Sequence, residues 1–101
     1  MLDRFDAYVA SRNFYWLCKE LKIERFLRDQ LLRASSSVAL NIAEGSGKRT
    51  AEDQARFYSI AHGSLRECQA ILDLERINRP DIKSCADRLG GMLFKLSRRK
   101  R

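Results

Sequence analysis

Residues 30–50 read Gln30-Leu-Leu-Arg-Ala-Ser-Ser-Ser-Val-Ala-Leu-Asn-Ile-Ala-Glu-Gly-Ser-Gly-Lys-Arg-Thr50. Leu31, Ala34, Val38 and Ile42 recur there at steps of three, four and four, and Leu27 extends the series by four toward the N-terminus. That spacing puts them on one helical face. The end of the stretch, GSGKRT, looks at first like a phosphate-binding loop. That motif needs G-x-x-x-x-G-K-[ST] after a buried strand, so that backbone N–H groups ring the phosphates and a hydroxyl holds magnesium. Here Ile42 stands where the first Gly belongs, Arg49 stands where Ser or Thr belongs, and the preceding pattern is helical. The stretch therefore predicts a helix from about Glu24 to Glu44. Gly45 ends it in the left-handed conformation that glycine tolerates, and a turn over Ser46 to Arg49 follows. Thr50 then caps a new helix, with Asp53 in its first turn in place of the Glu or Gln of the usual capping box.

Similar stripes occur on either side. From about Leu2 to Lys22, Phe5, Tyr8, Val9, Leu17, Cys18 and Leu21 follow helical spacing. From Thr50 to about Ile77, Phe57, Ala61, Leu65 or Ser64, Cys68 and Leu72 form one face, with Ile60, Ile71 and Leu74 beside it. Asn78-Arg-Pro-Asp81 stops that helix and restarts the chain, since Pro suits a first helical turn and Asp81 suits the positive helix end. The fourth stripe is Ile82, Cys85, Leu89, Met92 or Leu93, and Leu96; Gly90-Gly91 within it suggests close approach of a neighbouring backbone. Four amphipathic helices with short connections predict an all-α, antiparallel up-down four-helix bundle over residues 1–97, followed by a basic tail, residues 98–101.

With 101 residues there is room for one domain, which buries only about two-thirds of its unfolded surface, so oligomerisation is a natural supplement. No run approaches the ~20 apolar residues of a membrane span, and Asp3, Arg4 and Asp6 interrupt any signal-peptide pattern. The expectation is a cytoplasmic protein without membrane contact. Cys18, Cys68 and Cys85 are odd in number and scattered, with only His62 to join them, which fits buried small side chains better than disulfides or a zinc site. No E-x-x-H pair of a di-iron bundle occurs, and Ser35-Ser36-Ser37 lacks the G-x-S-x-G elbow. The residues thus predict no catalytic group, metal or cofactor.

Twenty Lys and Arg oppose thirteen Asp and Glu, a net charge of +7; without the four tail residues the balance is sixteen to thirteen, or +3. A basic balance of this kind points to phosphate contacts. The candidate nucleic-acid-binding residues are Arg25, Arg28, Arg33, Lys48, Arg49 and Arg56 around the second and third helices, with Arg98, Arg99, Lys100 and Arg101 in the tail. A second stripe on the second helix, Gln30, Ala34, Ser37, Asn41 and Glu44, borders the core. Asn41 and Glu44 are expected to form a structural polar network with Ser64 and Glu67 of the third helix, where Gly63 would admit a close neighbour. Arg33 is also a possible ion-pair partner for Glu67.

The runs QLLRASSSVALNIAEGSGKRT, residues 30–50, and RFYSIAHGSLRE, residues 56–67, closely resemble a known family. The likeness is most specific at Arg33, Ser37, Asn41-Ile42-Ala43-Glu44-Gly45, Gly63-Ser64 and Glu67. The family consists of four-helix-bundle proteins named after the intervening sequences of some bacterial 23S ribosomal RNA genes. The resemblance implies a ring-shaped homopentamer without enzymatic activity. A related branch, the accessory proteins of diversity-generating retroelements, implies basic pentamers that bind nucleic acid and associate with a reverse transcriptase. The chain departs from the pattern in KIERFLRD, residues 22–29, a shorter connection than is usual between the first two helices. The function expected is therefore a non-enzymatic oligomer that binds nucleic acid, RNA above all. The alternative is a protein-binding scaffold, for a reverse transcriptase for example, that touches nucleic acid only indirectly.

Overall fold

The computed structural model describes residues 2 and 5–98. Four helices follow one another: α1 (Asp6–Lys19), α2 (Arg25–Ser46), α3 (Ala51–Leu74) and α4 (Pro80–Ser97), with no strand among the described residues. Each helix packs on two others, α1 and α3 both lying against α2 and α4, so the four close around one core. At 1.5 Å per residue the 24 residues of α3 span roughly 36 Å, most of the 41 Å long axis. The fold is an all-α four-helix bundle. No described helix is long and apolar enough to cross a membrane.

The helix boundaries follow from local chemistry. Glu24 opens α2 by accepting the Leu27 N–H at 3.0 Å, and Thr50 opens α3 by accepting the Asp53 N–H at 3.1 Å, as its spacing predicts. Pro80 occupies the first turn of α4, where its missing N–H costs nothing. There Asp81 accepts the Ile82 N–H at 2.9 Å and holds Arg79 through two further bonds.

Two boundaries differ from the sequence reading. The expected terminator Gly45 lies inside α2, which continues to Ser46, and no described glycine has positive φ. Gly45 is buried, and a Cβ there would stand 2.9 Å from Tyr58 Cε1 and 3.0 Å from Phe57 Cβ. It is a packing glycine that lets α3 approach. Helix α3 stops at Leu74 rather than near Ile77, because Arg76 turns left-handed at φ 54°. The Arg76 N–H then donates to Asp73 O and the Ile77 N–H to Leu72 O, each at 3.0 Å, a Schellman closure built without glycine.

The core contains Leu31, Ala34, Val38 and Ile42 of α2, and Ile82, Leu89 and Leu93 of α4, as the stripes predict. In α1 the buried face is Ala7, Ala10, Ser11, Phe14 and Cys18, while Phe5, Tyr8, Val9 and Leu17 are half-buried at its flanks. Apart from Phe14, small residues carry that face, so it shows as no continuous stripe of large apolar side chains. In α3 Tyr58 is buried and Phe57 only half-buried, whereas Ile60 and Leu74 are exposed. Gly63 and Gly91 have open space where a Cβ would go, and Gly90 meets only Leu65 Cδ2, at an ordinary 3.6 Å. None of the three admits a neighbouring backbone within the chain. Cys18 and Cys68 are buried and unpaired, and burial pushes the Cys18 thiol up from 9.0 to about 12 and raises that of Cys68 as well.

Candidate nucleic-acid interface

The turn that resembles a phosphate loop has its backbone already engaged. The Gly47 N–H donates to Glu44 O at 3.2 Å and the Lys48 N–H to Gly45 O at 3.1 Å, while Gln54 Nε2 donates to Lys48 O at 3.0 Å. These amides close the end of α2 and cannot ring a phosphate, and the element before them is a helix. What the turn offers is side chains. Lys48 Nζ lies 5.0 Å and Arg56 Cζ 4.7 Å from the centroid of the Phe57 ring, both within cation–π range. Arg49 beside them is exposed and has no partner among the described residues. Lys48 also pairs with Glu44 at 3.1 Å, one helical turn back. Phe57, read from the sequence as a core residue, thus gathers two of the candidate cations at the α2–α3 turn.

The remaining candidates do not join that group. From Arg25 to Lys48 the chain advances 23 residues, roughly 35 Å along a helix axis. Arg28 donates from Nε to Leu21 O at 3.3 Å and from Nη2 to Lys19 O at 3.1 Å, so it closes the end of α1. Arg25 is exposed at the first position of α2. Arg33 donates to Gln30 Oε1 at 2.6 Å and pairs with Glu67 at 3.2 Å, the partner suggested by the sequence. Arg98 lies over the Phe94 ring at 4.2 Å, and Arg99, Lys100 and Arg101 lie outside the described residues. The six body cations form no single patch, because Arg25, Arg28 and Arg33 lie along the first half of α2 while Lys48, Arg49 and Arg56 lie in the turn beyond it and at the start of α3.

The expected polar network splits in the same way. Ser37 Oγ and Ser64 Oγ share a hydrogen bond at 3.0 Å, and Asn41 Nδ2 donates to Ser37 Oγ at 3.1 Å and to Ser37 O at 2.9 Å. Glu44 turns to Lys48 rather than to Ser64 or Glu67, and Glu67 takes Arg33. Ser37 is therefore the joint of the network. This α2–α3 seam is bordered by exposed apolar side chains. Phe26 (64% exposed) and Leu40 (67%) share an α2 stripe with Arg33 and Ser37, and Ile60 and Leu74 (70%) share an α3 stripe with Ser64 and Glu67.

Two further cation–π pairs went unread in the sequence: Arg12 over Trp16 at 4.7 Å and Lys19 over Tyr15 at 5.4 Å, both on α1. Their signal was the four-residue spacing of cation and ring, which makes them helical neighbours. Elsewhere, an open groove of about 250 Å³ between α3 and α4 is lined by Asp73 and Asp87 as well as Arg79 and Lys83, so its charge favours no anion. No group of three His, Cys, Asp or Glu among the described residues could hold a metal.

The family model described as 23S rRNA-intervening sequence protein matches residues 6–90, from the first residue of α1 to the middle of α4. The match takes in the α2–α3 seam and the turn at Lys48, and Arg98 and the residues after it lie beyond it. No curated protein matches the chain. With most of the bundle inside the matched span, the chain belongs to the family of 23S rRNA-intervening sequence proteins.

Proposed function

We propose that the protein is a non-enzymatic oligomer that binds nucleic acid, RNA above all, through the cations of the α2–α3 turn and of the C-terminal tail. The observation that carries the reading is the pair Lys48 and Arg56 on the Phe57 ring, with Arg49 exposed in the same turn. A cation resting on a ring forms no hydrogen bond to it and keeps donors for a phosphate, although Lys48 shares its ammonium with Glu44, whereas Arg28 spends two of its five donors on carbonyls. Connections as short as residues 20–24, 47–50 and 75–79, between helices packed side by side, support an antiparallel up-down order. In that order Arg98 stands at the same end of the bundle as Lys48.

The oligomer in this proposal is a ring of five copies. Its support within the chain is the apolar border of the α2–α3 seam, where Phe26, Leu40, Ile60 and Leu74 are exposed and Gly63 leaves room for a neighbour. In a ring, five weak phosphate sites act together and avidity exceeds the affinity of any one. Native mass spectrometry should show five copies, and anisotropy titrations with structured RNA should show log affinity falling linearly with log salt. Removing residues 98–101 should flatten that slope and leave the assembly intact. The same apolar border also favours a second reading, a scaffold that docks a protein such as a reverse transcriptase. That reading takes over if the assembled protein binds no nucleic acid at any salt concentration.

A further inference from the structure

The outward surface of α1 combines rings and cations in a way that the core does not require. Tyr8, Arg12, Tyr15 and Lys19 follow one another at steps of four, three and four, so aromatic and basic side chains alternate along a single stripe. Trp16 stands beside that stripe, 54% exposed, with the Arg12 guanidinium 4.7 Å from its ring centroid. Lys19 holds the same relation to Tyr15. Arg12 Nε is shielded from solvent and has no hydrogen-bond partner, and none of the other Arg12 donors finds an acceptor among the described residues. No carboxylate occurs from Ala7 to Lys19. The nearest beyond Lys19, Glu20, is already bridged to Arg79 at 3.0 Å. The face is cationic and flat-ringed, and α1 itself places no carboxylate on it between Ala7 and Lys19.

We infer that this face of α1 is a stacking platform for single-stranded nucleic acid, with a base lying on the Trp16 ring and phosphates drawn to Arg12 and Lys19. The inference rests on the nucleic-acid reading above and adds a second, separate contact to it. Stacking on an aromatic ring does not depend on base identity and contributes about 1–3 kcal/mol per base. A duplex hides its base faces and offers this platform only phosphates. A protein partner fits less well. A standard interface covers about 800 Å² on each partner around an apolar centre, whereas the positions three and four residues either side of Trp16 are the polar Arg12, Asn13, Lys19 and Glu20. One indole in a polar surround is too small for such a centre and large enough for a base. The α2–α3 seam, with four exposed apolar side chains and no ring–cation pair among them, has the opposite character.

Trp16 is the only tryptophan in the sequence, so its fluorescence reports the site directly. The full-length protein would be titrated with oligothymidylate, oligouridylate and a hairpin duplex of equal length, following both tryptophan emission and anisotropy of the labelled nucleic acid. Expected are quenching by the single strands and not by the duplex, and a loss of about tenfold in single-strand affinity on Trp16→Ala that Trp16→Phe largely restores. Duplex affinity should be the same in all three proteins. Single-strand binding without quenching, equal in wild type and Trp16→Ala, would overturn the platform while leaving the Lys48 site standing. Loss of the oligomer in Trp16→Ala by sedimentation would overturn it by assigning Trp16 to a subunit contact. Absence of binding to all three nucleic acids would remove both this inference and the reading beneath it.

Discussion

The α2–α3 turn and the opposite end of the bundle are both rich in arginine and lysine, yet they use them differently. At the opposite end Arg28 closes α1 through the carbonyls of Lys19 and Leu21, and Arg79 ties Glu20 of the α1–α2 connection to Asp81 of α4. These cations hold helices together. At the turn, Lys48 and Arg56 rest against Phe57 and Arg49 stands free in solvent. A residue count treats the two ends alike, but hydrogen-bond bookkeeping separates them, because a guanidinium bonded to carbonyls has fewer donors left for a phosphate.

The largest effect is expected from exchanging the two ends in a mutational test. Lys48→Gln, Arg49→Gln and Arg56→Gln together should lower affinity for structured RNA by about 10- to 100-fold at moderate salt, since each phosphate contact adds to the salt-dependent part of binding. The melting temperature should stay close to wild type. Arg28→Ala should do the reverse, costing about 1 kcal/mol of stability through two lost hydrogen bonds, one of them exposed, while leaving affinity in place. Anisotropy and thermal denaturation of the same samples decide the matter. A triple variant that binds RNA as well as wild type would erase the distinction between the ends.

The glycines sharpen the comparison within the α2–α3 pair. Gly45→Ala would set a methyl 2.9 Å from a buried Tyr58 ring and 3.0 Å from Phe57 Cβ. Overpacking of this kind costs about 1–3 kcal/mol, against a helix-propensity gain of at most about 1 kcal/mol. A net loss of up to about 2 kcal/mol is expected in denaturant unfolding. Gly63→Ala meets open space and should gain the propensity term alone. If the α2–α3 seam is the subunit contact, Gly63→Ala will nonetheless weaken the oligomer in native mass spectrometry. A gain in both stability and assembly would place the contact elsewhere.

This contrast also marks what could be read in the sequence. The four helices, the Thr50 cap and the Pro80 start were legible because periodicity and capping are local. Gly45 was not, since a helix terminator and a packing glycine look the same until the neighbouring ring is placed, and Tyr58 lies thirteen positions away. The α1 face escaped because Ala7, Ala10 and Ser11 carry much of it and leave little hydrophobic signal, so that Phe14 stood without large apolar residues at the helical positions before it. Of the candidate site, the residue types were legible and the grouping was not. Lys48 and Arg56 meet through a ring that the sequence reading placed in the core, and Arg28 is drawn off by carbonyls, which no composition reveals.

A smaller effect is expected at the end of α3. Arg76 closes the helix at φ 54°, where a side chain with a Cβ is strained and glycine is not. Arg76→Gly should therefore stabilise the bundle by up to about 1 kcal/mol, less the added backbone freedom of the unfolded chain. An unfolding midpoint below that of wild type would show that the arginine side chain contributes more than its backbone conformation costs.

The smallest effect concerns Asp81, beside the cations that hold the end opposite the turn. Its carboxylate is held below the usual range first by the hydrogen bonds from Arg79 and further by the Ile82 N–H, with desolvation opposing. A carboxyl whose folded pKa is depressed contributes stability that is present above its unfolded value, 3.8, and is lost as the pH falls through the lower folded value. Asp81→Asn removes that contribution at every pH while keeping the shape and an oxygen for the Ile82 N–H. The stability difference between wild type and Asp81→Asn should accordingly be constant above about pH 5 and shrink as the pH drops below the ordinary carboxylate range. Exposure to solvent keeps the difference small, and raising the salt concentration should reduce it further. A difference that grows toward acid pH would mean that Asp81 is stabilised in its protonated form, and the account of Arg79 as the clasp between α4 and Glu20 would fail with it.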